Sequence, residues 1–187
     1  MDMPDKQSGL QSRPRTAVKD LVLTAMFSAL IAVCSILSIP VGEVPITLQT
    51  FAVCFAAAML GWKRGTLSVL VYILLGAVGL PVFSGMKDGV GVLAGPTGGY
   101  IIGFLLTAVL IGFVSEKTDR KALPMTAAMT AGVLLCYAVG TLWFMVVTHT
   151  GLGVALMMCV VPFLIFDAVK IAAAVLLSNR LTKVILL

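Results

Sequence analysis

The chain has 187 residues, of which 60% are hydrophobic and only 11% are charged, and its mean hydropathy is +1.11. Because an average soluble domain is about one quarter charged and just under half apolar, this composition excludes an ordinary soluble enzyme, a disordered chain and a secreted disulfide scaffold, and it favours an integral membrane protein made of helices. The net charge of +5 does not indicate a nucleic-acid binder, since the basic residues are scattered between apolar runs without interleaved aromatic residues.

The first 16 residues mix prolines, serines and a glycine with several charges. We expect residues 1–16 to form a disordered cytoplasmic tail, followed by a first transmembrane helix over about 17–39. Its apolar run is too long for a cleaved signal peptide, and no small-residue cleavage site precedes the second run. Within it, Ala25 and Ala29 lie four residues apart, a spacing that lets two helices approach closely. The spacing alone leaves open whether the second helix belongs to the same bundle or to a partner.

Charge-free runs locate the remaining helices, because a helix needs about 20 apolar residues to cross the hydrocarbon core. The run 122–166 is too long for one crossing and is interrupted at the turn-like His149-Thr150-Gly151. The sequence therefore predicts an all-α integral membrane protein with one transmembrane domain over 17–187. Its six helices are expected over about 17–39, 46–61, 64–80, 97–116, 123–148 and 152–180.

The cations are divided unequally between the two sets of connections. Eleven of them fall in one set, Lys87 stands alone in the other, and Lys170 lies inside a span. Because lysine and arginine favour the cytoplasmic side, both termini are predicted to be cytoplasmic. The eleven are Lys6, Arg13, Arg15, Lys19, Lys63, Arg64, Lys117, Arg120, Lys121, Arg180 and Lys183.

The connection over 81–96 is long, rich in glycine and bounded by Pro81 and Pro96. In a membrane protein, irregular backbone persists only near the surface or where it lines a cavity. A loop of this length in a compact fold is usually functional. Its apolar side chains favour a segment that folds over a site, with a surface-lying connection as the alternative.

Asp167 and Lys170 are the sharpest polar feature of the chain, because they share one face of the last predicted helix at the spacing i, i+3. Each costs about 2.5–3.5 kcal/mol at the centre of a bilayer, so neither is expected to face lipid. They form either an ion pair that only packs the bundle or a polar ligand site. In such a site the carboxylate accepts from ligand N–H groups and the ammonium donates to a ligand oxygen.

Two further segments carry candidate ligand-binding groups. Thr47 and Gln49 stand at the start of the second helix, where they either bind a ligand or serve as a cap and a solvated amide. The block Gly95-Pro96-Thr97-Gly98-Gly99-Tyr100 opens the fourth helix. There Thr97 is a predicted cap, the free N–H groups attract anions, and the paired glycines allow a ligand or another helix to approach.

Motifs for metal binding and for catalysis are missing from the sequence. His149 is the single histidine, and Cys34, Cys54, Cys136 and Cys159 lie in apolar runs without a C-x-x-C spacing. There is no Walker motif, so the chain cannot hydrolyse ATP by itself. We therefore expect no metal, no cofactor and no enzymatic activity; an intramembrane enzyme that uses Asp167 as an acid or base is a distant alternative.

The assembled motifs resemble those of the BioY family, the biotin-specific substrate-capture subunits of energy-coupling-factor (ECF) transporters. The resemblance covers essentially the whole chain after the tail. It is carried by Gly79-Leu80-Pro81-Val82-Phe83, Gly95-Pro96-Thr97-Gly98-Gly99-Tyr100, Pro45-Ile46-Thr47-Leu48-Gln49-Thr50 and Asp167-x-x-Lys170. Lys87-Asp88 departs from the pattern, which has smaller residues there.

The resemblance implies a six-helix S-component in a prokaryotic cell membrane that binds biotin near its outer face, under the loops. It also implies a transmembrane coupling subunit, which meets the Ala25 and Ala29 face, and two cytoplasmic ATPases. Asp167 is then expected to accept from the ureido N–H of biotin and Lys170 to donate to an oxygen. Gln49, Thr47 and the backbone before the fourth helix complete the polar contacts, while Phe83 and Tyr100 pack on the ring. The alternatives are an S-component for another vitamin, thiamine or riboflavin, and a solitary proton-coupled carrier.

Overall fold

Helices make up most of the structure, a computed structural model that describes residues 13–40 and 43–185. The predicted all-helical class is confirmed, and the only strands in the described part are a pair of two residues each. The elements in chain order are α1 (Arg13–Ile36), β1 (Ser38–Ile39), β2 (Ile46–Thr47), α2 (Gln49–Ala77), α3 (Val90–Ala94), α4 (Gly98–Lys117), α5 (Ala122–Thr148), α6 (Leu152–Cys159) and α7 (Leu164–Ile185).

Helices α1, α4 and α5 are each long and apolar enough to cross a membrane, and so is α2 when its 29 residues are counted as one helix. The pair α6 and α7 passes the same test together and is bent by 47° at its break. The predicted continuous helix over 152–180 is therefore wrong in detail. Pro162 lies in the break, and since proline has no N–H to donate it interrupts the helical hydrogen bonds there. Helix α1 begins at Arg13 rather than near residue 17, and the rest of the predicted tail lies outside the described residues.

Helix α2 reverses direction within its length. Gly61 has φ 78° and ψ −176°, which is not helical and suits glycine. A Cβ on Gly65 would lie 2.8 Å from the Cα of Ala57, whereas eight residues of straight helix would separate them by about 12 Å. Residues 49–60 and 62–77 are thus two antiparallel arms, and the reversal lies at the predicted boundary between the second and third helices.

The reversal in α2 and the C-terminal end of α4 lie together at one end of the bundle. Ser115 donates to the carbonyl of Ala58 at 2.8 Å, and a Cβ on Gly112 would overlap the Cα of Trp62. Arg64 pairs with Asp20 at 3.0 Å. This end carries the cations of the predicted cytoplasmic connections that the structure describes, so we refer to it as the cationic end.

The connection over 81–96 folds back over the opposite end of the bundle. It contains the short helix α3, and the ring of Phe83 is buried against Gly76, where a Cβ would overlap it. The same ring lies edge-on to Tyr72, with centroids 5.6 Å apart. Gly89 N–H donates to the carbonyl of Gly76 at 2.8 Å, which fixes the far side of the loop. The alternative of a connection that merely lies on the surface is therefore wrong.

Substitution of Gly112 by alanine is expected to destabilise the protein by about 1–3 kcal/mol, because the new methyl group overlaps the backbone of Gly61 and Trp62. The matched control is Gly153→Ala in α6, where nothing lies within 4 Å of the added Cβ, and where the higher helix propensity of alanine makes the change neutral or favourable. Thermal unfolding in detergent measures both. Equal melting temperatures for the two variants would contradict the close approach of α4 to the α2 reversal.

Candidate functional site

A cavity opens between the loops at the end of the bundle opposite the cationic end. Its empty space is about 810 Å³, part of it open to solvent. Both arms of α2, the 81–96 connection, α4, α5 and the α6–α7 break contribute to it. Its walls are formed by Glu43, Val44, Pro45, Thr47, Gln49, Thr50, Tyr72, Phe83, Ser84, Lys87, Val92, Thr97, Tyr100, Ile101, Phe104, Val133, Cys136, Tyr137, Cys159, Phe163, Asp167 and Lys170.

Asp167 and Lys170 form a buried ion pair at this cavity. Helix α7 restarts at Leu164 after the break, which puts Asp167 in its first turn, where the helix dipole favours a negative charge. The Nζ of Lys170 donates to Oδ1 of Asp167 at 2.7 Å, and the hydroxyl of Tyr137 donates to Oδ2. The two charged side chains belong to residues that are only 3% and 8% exposed. The predicted shared face is therefore confirmed, and the face points inward.

This cluster offers both kinds of hydrogen-bonding group to a ligand. Each carboxylate oxygen can accept a second hydrogen bond, and a lysine ammonium has three donors, of which Asp167 uses one. Because the charges cancel within the pair, a neutral ligand group with adjacent N–H donors and a carbonyl acceptor matches it without bringing a net charge into the bundle.

A second polar group lies nearer the outer end, around Gln49. Its Oε1 accepts from the hydroxyl of Ser35 at 3.2 Å, and the same hydroxyl is 3.0 Å from that of Tyr72. The amide is thereby oriented, and its Nε2 is buried without a partner among the described residues, as is the hydroxyl of Ser84. An unsatisfied buried group costs about 1–3 kcal/mol, so both atoms are candidate contacts for a ligand acceptor.

Thr47 and Tyr100 line the cavity with their hydroxyl groups already engaged. The hydroxyl of Thr47 accepts from the backbone N–H of Gln49 at 3.2 Å, as expected of a residue that ends a turn into a helix. The hydroxyl of Tyr100 is 3.1 Å from that of Thr141 and donates to the carbonyl of Cys159 at 3.4 Å. Tyr100 therefore presents mainly its ring to the cavity.

The predicted block 95–100 is divided by the structure. Thr97 and Tyr100 line the cavity, although the side chain of Thr97 makes no capping hydrogen bond, contrary to expectation. Gly95 and Pro96 line a shallow outer groove at the mouth instead. Gly98 and Gly99 are packing positions, because an added Cβ would overlap the carbonyl of Leu93 in α3 and the side chain of Trp143 in α5, respectively. Their part in ligand binding stays a prediction.

Ala25 and Ala29 are both exposed on the surface of α1. No other described helix buries them. Ala29 lines an apolar surface groove with Met26, Phe27, Leu30 and Val33. The alternative of a small-residue contact inside the bundle is therefore disfavoured within the described residues.

Tyr137, Tyr72 and Ser35 are site residues that the sequence reasoning missed. Each stands alone in an apolar run, where tyrosine and serine are common and carry no spacing signal. A search for polar side chains inside predicted spans would have found them, because such groups need partners in hydrocarbon. No group of three or more histidine, cysteine, aspartate or glutamate residues close enough to hold a metal occurs in the described part of the chain.

The chain is similar to known proteins over most of its length. The profile of the BioY family matches residues 5–186. The chain is 43% identical to a biotin transporter BioY from Thermotoga maritima, over 89% of this chain and 97% of that protein. It is 40% identical to a probable biotin transporter BioY from Pyrococcus horikoshii, over 87% and 96%. Its fold matches the crystal structure of the S-component for biotin from an ECF-type ABC transporter, with a TM-score of 0.85 and 32% identity, over 91% and 94%.

Replacement of Lys170 by methionine is expected to lower stability by about 3–5 kcal/mol, because it leaves the carboxylate of Asp167 buried without its counter-charge. The double variant Asp167→Leu/Lys170→Met removes both charges and is expected to lose less. Thermal unfolding of the ligand-free proteins in one detergent measures the difference. A double variant no more stable than Lys170→Met would contradict the ion pair.

Proposed function

The chain belongs to the BioY family, and from this premise we propose that it binds biotin with high affinity and takes it up across the membrane as the substrate-capture subunit of an ATP-driven ECF transporter. The observation that carries the proposal is the buried Asp167–Lys170 pair at the cavity. It is a transporter subunit and not an enzyme.

Biotin suits the two polar groups of the cavity. Its ureido ring carries two N–H donors and one carbonyl oxygen, and its valerate tail ends in a carboxylate. Asp167 accepts from a ureido N–H, and Lys170 donates to the ureido oxygen. The unpartnered Nε2 of Gln49 and hydroxyl of Ser84 lie nearer the mouth, and both can donate to the valerate carboxylate. Such a buried polar set rejects analogues that lack the matching groups by large factors.

The apolar body of biotin packs on the aromatic side chains of the cavity. The predicted contacts Phe83 and Tyr100 line it together with Phe104 and Phe163. Thr47 and Thr97 border the same space. Gly98 and Gly99 support the site indirectly, since they let α4 pack closely against α3 and α5, and Gly95 and Pro96 lie at its mouth.

In the membrane the chain forms six crossings with both termini in the cytoplasm. Support for six comes from the two antiparallel arms of α2, each of which counts as one crossing, and from the bent pair α6–α7, which counts as the last. The cationic end faces the cytoplasm because lysine and arginine favour that side. The cavity at the opposite end is then open to the outside of the cell membrane, where biotin is captured.

The partners of the chain are a transmembrane coupling subunit and two cytoplasmic ATPases, which hydrolyse ATP for the complex. The face of α1 around Ala25 and Ala29 is the contact for the coupling subunit, since both alanines are exposed and apolar neighbours such as Met26 and Val33 are more than half exposed. Small residues four apart allow the close helix approach that such a contact needs.

Labelled biotin is expected to bind the purified protein in detergent saturably and tightly. Substitution of Asp167 by asparagine weakens binding about tenfold to a hundredfold, because a hydrogen bond to a charged group contributes about 1.5–3 kcal/mol. Asp119→Asn at the cationic end is the control and leaves the Kd unchanged. Absence of biotin binding by well-folded wild type would reject the ligand and direct the test to thiamine and riboflavin.

Biotin analogues test which end of the ligand meets Asp167. An ester of the valerate group should lose as much affinity from Asp167→Asn as biotin does, because its ureido N–H groups are intact. An analogue without ureido N–H groups should lose little affinity from Asp167→Asn, since wild type already binds this analogue weakly. Equal loss for both classes of analogue would overturn the assignment.

Replacement of Ala29 by leucine is expected to abolish ATP-driven biotin uptake in cells while the Kd for biotin stays unchanged, because the larger side chain blocks the approach of the coupling subunit. The matched control is Ala127→Leu at an exposed position on α5. Uptake assays and co-purification with the coupling subunit measure the effect. Normal uptake by Ala29→Leu would place the partner on another face.

A further inference from the structure

A second recess lies on the outer surface of the bundle between α5 and α7, behind the ligand cavity. Its empty space is about 760 Å³. One face of each helix lines it. The residues are Thr126, Thr130, Val133, Leu134 and Tyr137 of α5 and Leu164, Asp167, Ala168, Ile171 and Ala172 of α7. We call it the α5–α7 groove.

The groove lies at the depth of the hydrocarbon core. Along the axis of α5, Thr126 lies about 7 Å from the cytoplasmic Lys121, and Tyr137 lies about 24 Å from it. Both distances are shorter than the thickness of the hydrocarbon core, which is about 30 Å. The hydroxyls of Thr126 and Thr130 each donate to a carbonyl of their own helix at 2.9 Å. The groove is therefore apolar except at its floor.

The floor of the groove is also a wall of the ligand cavity. Val133, Tyr137 and Asp167 line both spaces. Tyr137 is 8% exposed, and its hydroxyl donates to Oδ2 of Asp167 while Lys170 holds Oδ1. One layer of side chains thus separates the ligand cavity from the lipid-facing groove. The carboxylate of Asp167 lies in this layer, and its exposure to lipid would be costly.

We propose that Tyr137 has two separable tasks: its ring closes the ligand cavity against the α5–α7 groove, and its hydroxyl holds Asp167 in the orientation that receives the ligand. Tyr137 is in this sense a positioning residue that acts through Asp167. The barrier rests on geometry alone, whereas the positioning task rests on the proposed function.

The two tasks are separated by two substitutions. Tyr137→Phe keeps the ring and removes the hydroxyl, whereas Tyr137→Ala removes both, with Tyr137→Val in reserve if the alanine variant does not fold. Leu134→Ala widens the groove without touching Asp167 and is the control.

The barrier is tested with dicyclohexylcarbodiimide, a lipid-soluble reagent for carboxyl groups, on protein in lipid vesicles without ligand. Mass spectrometry detects the product at Asp167. The reagent activates the carboxyl group of Asp167, and the adduct then rearranges to an N-acylurea without loss of atoms. Alternatively, the amine of Lys170 attacks the activated carboxyl group, which forms an amide and releases dicyclohexylurea. Both products report that the reagent reached Asp167, and Asp167→Asn is the blank.

Tyr137→Ala is expected to raise this labelling several-fold, while Tyr137→Phe and Leu134→Ala stay at the wild-type level. A water-soluble carbodiimide, which enters through the cavity mouth, should distinguish the variants much less. Labelling of Tyr137→Ala at the wild-type rate, or an equal rise in Leu134→Ala, would overturn the barrier.

The positioning task is tested by a double-mutant cycle with labelled biotin. Tyr137→Phe should weaken binding about tenfold in the wild-type background, as the loss of a hydrogen bond to a charged group does, and hardly at all in the Asp167→Asn background. Additive losses would mean that Tyr137 does not act through Asp167. If wild type binds no biotin, the proposed function fails, while the labelling experiment still decides whether Tyr137 is the barrier.

Discussion

The carboxylate of Asp167 is the constraint on which the rest of the structure depends. A charge inside the hydrocarbon must be both neutralised and hydrogen-bonded to persist. Lys170 provides the neutralising charge from the next turn of the same helix, and Tyr137 provides the second hydrogen bond from α5. The break at Pro162 lets α7 start at Leu164, which puts Asp167 in the first turn, where the helix dipole favours a negative charge. Two helices, α5 and α7, and the break before α7 thereby meet at one carboxylate.

The same constraint applies to the polar groups around Gln49, which hydrogen-bond to one another. Ser35 and Tyr72 together orient the amide of Gln49, which leaves only its Nε2 free. In a medium of low polarity, a polar group without a hydrogen-bond partner raises the free energy of the protein. A ligand that hydrogen-bonds to such a group therefore binds more tightly. Apolar rings occupy much of the remaining wall, so affinity for the body of the ligand and discrimination at its polar ends come from different residues.

Features that depend on local chemistry could be predicted from the sequence. Lys63 and Arg64 marked the reversal of α2, because charges interrupt an apolar run at the membrane surface, and the spacing of Asp167 and Lys170 placed both on one face. Features that depend on contacts distant in the chain could not. Tyr137 meets Asp167 across 30 residues, and nothing around it in the sequence marks the contact. Gly98 and Gly99 left two alternatives open, because a glycine that allows a ligand to approach and one that allows a helix to approach look the same in the sequence.

The packing of the bundle also limits how a bound ligand can reach the cytoplasm. Beyond the cavity, towards the cationic end, the helices touch through backbone: α4 meets the reversal of α2 at Gly112, and Ser115 bonds to the carbonyl of Ala58. Interiors packed at this density do not open by small continuous deformations, and a path through them would expose backbone and buried charge. The packing therefore disfavours a channel along the axis of the bundle as the route of a ligand held beside Asp167. The outer surface differs from this interior, because exposed leucines, isoleucines and valines of α1, α2, α4, α5, α6 and α7 suit it to contact with hydrocarbon on nearly every side.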